Sequence, residues 1–167
     1  MSLKTTSLIA LAVAGLLGAA APVLAGPEVN TSTGIVLADG KPAAGLAGRG
    51  YDVVAYFTES KPVKGDSKFS VAHGAATYRF ASQANLDMFK ANPAKFVPAY
   101  GGYCAYGVSV NAKFDGDPNN WKIVDGRLYL NLDDGIQAVW LKDVAGNIKK
   151  AETVWPGIKD KAPSEIK

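Results

Sequence analysis

The hydrophobic period of this chain changes at Asp133, and that change limits the folds open to it. Before it, the apolar runs 121–124 and 128–130 flank Asp125-Gly126, a dipeptide that tolerates positive φ at both positions. This pattern is the strongest short-range signal for a β-hairpin. After Asp133 the apolar residues recur at spacings of three and four, which places them on one face of a helix. These residues are Ile136, Trp140, Val144, Ile148, Ala151 and Trp155.

The region before this hairpin predicts further strands. Residues 51–57 are β-branched and aromatic and predict a strand, and the polar run 59–67 predicts a loop. Residues 68–72 and 77–80 alternate polar with apolar side chains around His73-Gly74, so they predict a second hairpin with its turn at this dipeptide.

Helix signals lie between and after the hairpins. Ser82 suits the N-cap of a helix that buries Leu86 and Phe89. We expect Gly146 to divide the later helical segment and Pro156-Gly157 to end it. The sequence shows no internal repeat. These elements predict an α+β fold, with a small antiparallel sheet of hairpins packed by short helices and a C-terminal helical segment.

The N-terminus has the pattern of an export signal. Lys4 supplies a positive start, residues 8–21 are rich in Ala and Leu, and residues 23–25 offer a small side chain for cleavage. An uncleaved membrane anchor is the alternative interpretation, because no charge follows Lys4 within this segment.

We therefore expect a periplasmic or secreted protein that has no stable membrane span after cleavage. Its parts are a signal peptide at 1–25, an N-terminal arm at 26–48 and one domain at 49–160.

Charge and cysteine content narrow the functional classes. The 18 Lys and Arg side chains oppose 15 Asp and Glu, and loss of Lys4 with the signal leaves a net charge of +2. Because no clustered basic face is evident, we expect no nucleic-acid partner. Cys104 is the sole cysteine, which excludes an internal disulfide in an oxidising compartment. Its thiol is therefore buried, bound to a metal or paired with another molecule.

The run 98–108 places Cys104 among paired glycines and tyrosines, and His73 is the sole histidine. Thiolate and imidazole are ligands for copper or zinc, so we predict a metal site that uses both side chains. Two ligands are too few for a closed zinc site. The third ligand is Asp52, a tyrosine such as Tyr103, or a residue of a second chain. The alternative is that Cys104 packs in a core turn and His73 belongs to a hairpin turn.

Two further interpretations use the same region. Tyr51, Tyr103 and Tyr106 are predicted to contact a ligand or a protein partner, because aromatic side chains lie beside glycines there. A thiol enzyme would use Cys104 with His73 as its base, oriented by an acid such as Asp52 or Asp115. The sequence contains no nucleophile-elbow, phosphate-loop or zinc-protease motif.

Several motifs of the chain resemble the YHS domain family, in particular its exported single-domain members in bacteria. The motifs lie at 50–57, 76–82, 85–96, 100–107 and 121–131, with Thr77-Tyr78-Arg79-Phe80, Tyr100-Gly101-Gly102-Tyr103-Cys104 and Trp121-Lys122-Ile123-Val124 at their centres. The resemblance spans about residues 48–156. It implies a role in metal handling or sensing.

The chain departs from the metal-associated YHS pattern, because Ala81 and Asn85 stand where that pattern has cysteines. The resemblance therefore implies metal binding only through a relocated site that uses Cys104. We predict an exported YHS-type binding or accessory module whose partner is a transition metal such as copper, or a protein. The alternatives are a structural partner-binding domain without metal and a thiol-dependent enzyme that uses Cys104.

Overall fold

The computed structural model describes residues 28–31 and 45–166. The predicted signal at 1–25 and most of the predicted arm at 26–48 lie outside these residues. Among the residues described, no helix is both long and apolar enough to cross a membrane.

Two antiparallel hairpins form the strands of the fold. Strand β1 (Asp66–His73) pairs with β2 (Ala76–Phe80), and β3 (Asp117–Val124) pairs with β4 (Arg127–Asn131). Asp125 and Gly126 both have positive φ, 49° and 75°, as a two-residue hairpin turn requires. Both predicted hairpins are confirmed, although His73 lies at the end of β1 rather than in the turn.

Six α-helices complete the α+β fold in the described residues. They are α1 (Ala55–Thr58), α2 (Gln83–Ala91), α3 (Pro93–Phe96), α4 (Ala105–Ser109), α5 (Asp134–Leu141) and α6 (Val144–Ile158). Ser82 accepts a hydrogen bond from the Asn85 backbone N–H, so the predicted N-cap of α2 is confirmed. Leu86 and Phe89 are buried, as predicted.

The predicted strand at 51–57 is wrong. Tyr51 makes a single bridge to Lys64, and the chain then turns into α1. Asp52 closes the first turn, because its carboxylate accepts the N–H groups of Val54 and Ala55. Hydrogen bonding to a side chain thus overrides the strand propensity of these residues.

The C-terminal helices also differ from expectation in their boundaries. The break between them falls before Asp143, whose carboxylate caps α6 by accepting the Gly146 N–H, so Gly146 lies inside the helix. Pro156 does not end α6, which continues to Ile158. Its ring sits in the last turn, and the carbonyl groups beyond it are bound by Lys113 Nζ, which donates to Lys159 O and Lys161 O at 2.7 Å each.

The described chain is built from two copies of one structural unit. Elements β1, β2, α2 and α3 begin at residues 66, 76, 83 and 93, and β3, β4, α5 and α6 begin 51 positions later, at 117, 127, 134 and 144. The irregularity after Asp66 in the first hairpin recurs after Asp117 in the second. We call residues 48–96 the first unit and residues 100–158 the second unit. The expectation of no internal repeat is therefore wrong at the level of structure.

Each unit opens with the same sharp turn. Three consecutive residues have positive φ in both: 55°, 53° and 76° in Gly48–Gly50, and 54°, 61° and 85° at 100–102. A tyrosine then makes a one-residue bridge, Tyr51 to Lys64 in the first unit and Tyr103 to Asp115 in the second. The two opening turns are 52 positions apart in the sequence, one more than the strands and helices that follow them. At this offset Asp52 matches Cys104.

Each unit has a core cluster of its own, and a third cluster contains residues of both units. Phe80 and Phe89 lie in the cluster of the first unit, and Tyr129 and Trp140 in that of the second. A third cluster packs Tyr56 of the first unit against Leu128 and Leu130 of the second. This third cluster joins α1 of the first unit to the hairpin of the second.

Candidate functional site

The Asp52 carboxylate is fully buried and accepts four hydrogen bonds. Its Oδ1 accepts the N–H groups of Val54 at 2.8 Å and Ala55 at 3.2 Å, and its Oδ2 accepts Ala81 N–H at 2.8 Å and Asn85 Nδ2 at 2.6 Å. Both oxygens are thus occupied by protein donors. Asp52 therefore acts as a structural anchor, and its predicted role as a metal ligand has no support in these contacts.

Cys104 has the same set of backbone neighbours in the second unit. Its Sγ accepts the Gly107 N–H at 3.3 Å, and the N–H groups of Tyr106 and Leu132 also point to it. The donors stand two and three residues later and one residue past the second strand, as the backbone donors to Asp52 do. Cys104 Sγ also donates to Asn131 Oδ1 at 3.8 Å. The Cys104 sulfur is therefore surrounded by backbone N–H groups at the position where the first unit has the Asp52 carboxylate.

Burial controls the chemistry of Cys104. It raises the pKa of the thiol above its usual range, and the N–H groups of Gly107, Leu132 and Tyr106 offset part of that effect. Nucleophilic cysteines have lowered pKa values in partly exposed positions, and Cys104 is fully buried. The geometry is that of a packed core thiol.

His73 lies in the first unit, at the exposed end of β1. Its ring meets Tyr78 and Phe89 edge to face, with centroids 6.2 and 5.5 Å apart. None of the residues that contact Cys104 is among these partners. In the part of the chain that the structure describes, no group of three or more His, Cys, Asp or Glu side chains is placed to hold a metal ion. The copper or zinc site of Cys104, His73 and Asp52 stays a prediction without geometric support.

The three predicted tyrosines have separate surroundings. Tyr103 is buried beneath Lys113, whose Nζ lies 4.8 Å from its ring centroid. Tyr106 packs partly buried against the core of the second unit. Tyr51 is half-buried in its bridge to Lys64. Tyr51 and Tyr103 thus follow the two opening turns, and Tyr106 belongs to α4.

A groove of about 530 Å³ lies where the first hairpin turn, the segment between the units, the start of β4 and α6 meet. Its walls are polar and apolar in about equal measure, and the charged residues Glu28, Arg127 and Asp160 are among them. The lining also includes His73, Tyr78, Val97, Tyr100 and Trp155. A concave site of this size lies within the range of ligand pockets.

A polar network fixes one wall of the groove. Glu152 accepts hydrogen bonds from Arg127 Nη1 at 2.7 Å and from the Tyr100 hydroxyl at 3.2 Å. The Tyr100 ring also packs against Trp155, with centroids 5.7 Å apart. Burial first, and then the negative charge of Glu152, raises the pKa of Tyr100 well above its usual value, so its hydroxyl remains a donor.

Sequence reasoning found His73 but missed Tyr100, Arg127 and Trp155 as groove residues. The sequence contains one signal, because Tyr100 stands directly before Gly101-Gly102. In the first unit Gly48 occupies the corresponding place. Recognition of that correspondence requires the repeat, which the sequence alone did not reveal.

Comparison of the chain with models of known protein families, with curated protein sequences and with solved structures gives no match. The resemblance to the YHS domain family therefore stays a prediction from the motifs.

Proposed function

We propose that this protein is an exported YHS-type binding or accessory module, and that its ligand occupies the groove beside Tyr100. The ligand class that suits the walls is a small organic molecule with a planar apolar part. The accessible aromatic surface of the groove comes from Trp155 and the His73 ring, whereas Tyr78 and Tyr100 line it as buried rings, and Arg127 is a polar group for orientation.

The observation that carries the proposal is the backbone of Tyr100. A non-glycine residue with positive φ is strained by about 1 kcal/mol or more, and such strain concentrates at functional sites. The first unit has Gly48 at the matching position, and its strained non-glycine residue is Arg49, whose φ is 53°. The tyrosine of the second unit has its ring beside the groove, between Tyr129 and Trp155.

The two alternative functions have weaker support. A thiol enzyme needs a base near Cys104, and the contacts of His73 lie in the other unit. A metal-handling role rests on the family resemblance and on the ligand chemistry of Cys104 and His73, and no contact of Cys104 or Asp52 leaves a ligand position open.

Nuclear magnetic resonance titration tests the groove directly. We expect phenylacetate or phenethylamine, added separately to ¹⁵N-labelled protein, to shift the backbone signals of Gly74 and Gly101 and the Trp155 indole N–H. The charge of the probe that binds more tightly identifies which polar groups orient the ligand. If neither probe shifts these three signals, the groove does not bind planar organic molecules and the proposal is wrong.

A variant pair places the binding in the groove. His73→Ala removes an exposed ring from the groove wall and should weaken binding about fivefold, equivalent to about 1 kcal/mol. Lys68→Ala changes an exposed residue of the same strand outside the groove and should leave the affinity unchanged. Equal affinity of both variants for the probe would show that the bound probe does not contact His73.

A further inference from the structure

Three buried polar atoms of the second unit have no hydrogen-bond partner among the described residues. They are Asn120 Oδ1, Asn131 Nδ2 and Trp140 Nε1. Asn131 and Trp140 have no exposed surface, and Asn120 is 5% exposed. Nearly all buried polar groups in proteins are hydrogen-bonded, so three unpartnered atoms in one unit need an explanation.

Comparison with the first unit shows why these three residues are unusual. All three positions are occupied there, 51 residues earlier, by phenylalanine. The matching residues are Phe69, Phe80 and Phe89. The first unit therefore has an apolar aromatic core at the place where the second unit has two amides and an indole N–H.

The correspondence also places the three residues in one region, because Phe69 packs against the cluster that contains Phe80 and Phe89. Phe80 and Phe89 pack with ring centroids 5.0 Å apart, so Asn131 on β4 and Trp140 on α5 occupy neighbouring places. The pair Tyr129 and Trp140, 5.7 Å apart, repeats the pair Tyr78 and Phe89, 4.9 Å apart, which supports the match. Asn120 lies in the irregular part of β3 next to Trp121, whose partner on β4 is Leu130.

The chemistry of this place suits a small oxygen-containing ligand. Asparagine at 131 is smaller than the matching Phe80, and tryptophan at 140 is larger than the matching Phe89. The two nitrogen atoms are donors and Asn120 Oδ1 is an acceptor. Water offers both functions in one atom and binds in buried polar sites with about three hydrogen bonds. Cys104 Sγ, 3.8 Å from Asn131 Oδ1, borders the same place.

We propose that the core of the second unit binds one ordered water molecule, which accepts hydrogen bonds from Asn131 Nδ2 and Trp140 Nε1 and donates to Asn120 Oδ1. This site is separate from the groove and does not depend on the proposed function. It makes the second unit the polar member of the pair, with the thiol of Cys104 at the edge of a hydrated site.

Water-to-protein cross-relaxation measured on the purified protein tests this site. We expect a cross-peak between the Trp140 indole N–H and a bound water. Its sign should indicate that the water stays longer than the rotational correlation time of the protein. Trp121 and Trp155 are half-buried and serve as internal controls for surface hydration. A Trp140 indole N–H without a water cross-peak would contradict the proposal.

A high-resolution crystal structure gives an independent answer. Electron density within hydrogen-bond distance of both Asn131 Nδ2 and Trp140 Nε1 would support the bound water. A direct hydrogen bond between the Asn120 and Asn131 side chains, or a protein carbonyl that accepts from Trp140, would overturn it. Either result is obtained whether or not the groove binds a ligand.

Discussion

Asp52 and Cys104 occupy equivalent positions with different chemistry. The carboxylate satisfies four donors, one of them the side-chain amide of Asn85, and so ties α1, β2 and α2 together. Sulfur is a weaker acceptor than a carboxylate. The second unit therefore relies more on packing around Cys104 and less on the hydrogen bonds of its cradle.

Asp52→Asn should destabilise the protein by about 3 kcal/mol, because the amide opposes a backbone N–H with its own NH₂ group and leaves buried donors unpaired. Denaturant unfolding measures the loss. Asp66→Asn is the matched control, since the Asp66 carboxylate accepts the Lys68 N–H at an exposed position and should cost under about 1 kcal/mol. Similar losses for both variants would refute the anchoring role of Asp52.

At the scale of elements, two glycines of the second hairpin differ in what they require. Gly126 has a φ of 75° and open space where a Cβ would lie, so Gly126→Ala should cost about 1 kcal/mol from backbone strain alone. Gly116→Ala should cost about 3 kcal/mol, because its Cβ would lie 2.5 Å from Gly102 O and 2.7 Å from Leu130 Cβ. Thermal melting distinguishes them, and equal losses would mean that the close approach at Gly116 relaxes freely.

Lys113 links the loop after α4 to the end of α6 and gives that link a pH dependence. Burial lowers the pKa of Lys113 from 10.5 to about 8, and the acids Asp160, Glu28 and Glu165 oppose that shift. Between pH 8 and 10.5 the unfolded chain then holds a proton that the folded chain has lost, so the Lys113 contribution to stability rises with pH.

We expect wild type to gain on the order of 1 to 3 kcal/mol relative to Lys113→Met between about pH 7.5 and 10. Methionine keeps an unbranched apolar stem over Tyr103 and Trp155 but carries no titrating group. Urea unfolding of both proteins at the two pH values measures the difference. A difference that is constant or shrinks with pH would contradict the lowered pKa.

Local signals explain which elements the sequence predicts well. Asp125-Gly126 and Ser82 act through their own backbone and nearest neighbours, so the second hairpin and the start of α2 follow from sequence. The turn into α1 depends on Ala81 and Asn85, about thirty residues away from Asp52, and propensity contains no such information. The groove was missed for the same reason, because residues of both units line it.

At the scale of the molecule, the two units repeat in structure with few identical residues. The repeat is visible in sequence only in fragments such as Gly50-Tyr51 and Gly102-Tyr103, or Gly65-Asp66 and Gly116-Asp117. What remains equal is the position of turns, caps and strand pairs, which many sequences satisfy. The packing differs, because Asn131 and Trp140 of the second unit stand at the positions of Phe80 and Phe89 in the first.

Tyr56 is a buried contact between the units, which are also joined by the ion pairs of Arg49 with Asp115 and Asp117. It is buried, donates its hydroxyl hydrogen to Pro118 O at 2.9 Å and packs its ring against Trp121 at 5.1 Å. The third core cluster extends this contact to Leu128 and Leu130. Because one side chain of the first unit fills a pocket of the second, unfolding of either unit exposes apolar surface of the other.

We therefore expect the wild-type protein to unfold in a single transition and Tyr56→Ala to separate it into two. All three tryptophans lie in the second unit, so fluorescence reports that unit, whereas far-ultraviolet circular dichroism reports both. Tyr56→Ala should cost about 3 to 5 kcal/mol and shift the two curves apart. Tyr78→Ala, in the core of the first unit, removes a ring of the same size and should keep the curves together. Coincident curves in Tyr56→Ala would show that other contacts, such as those of residues 28–31 with Ala47 and Gly101, hold the units together.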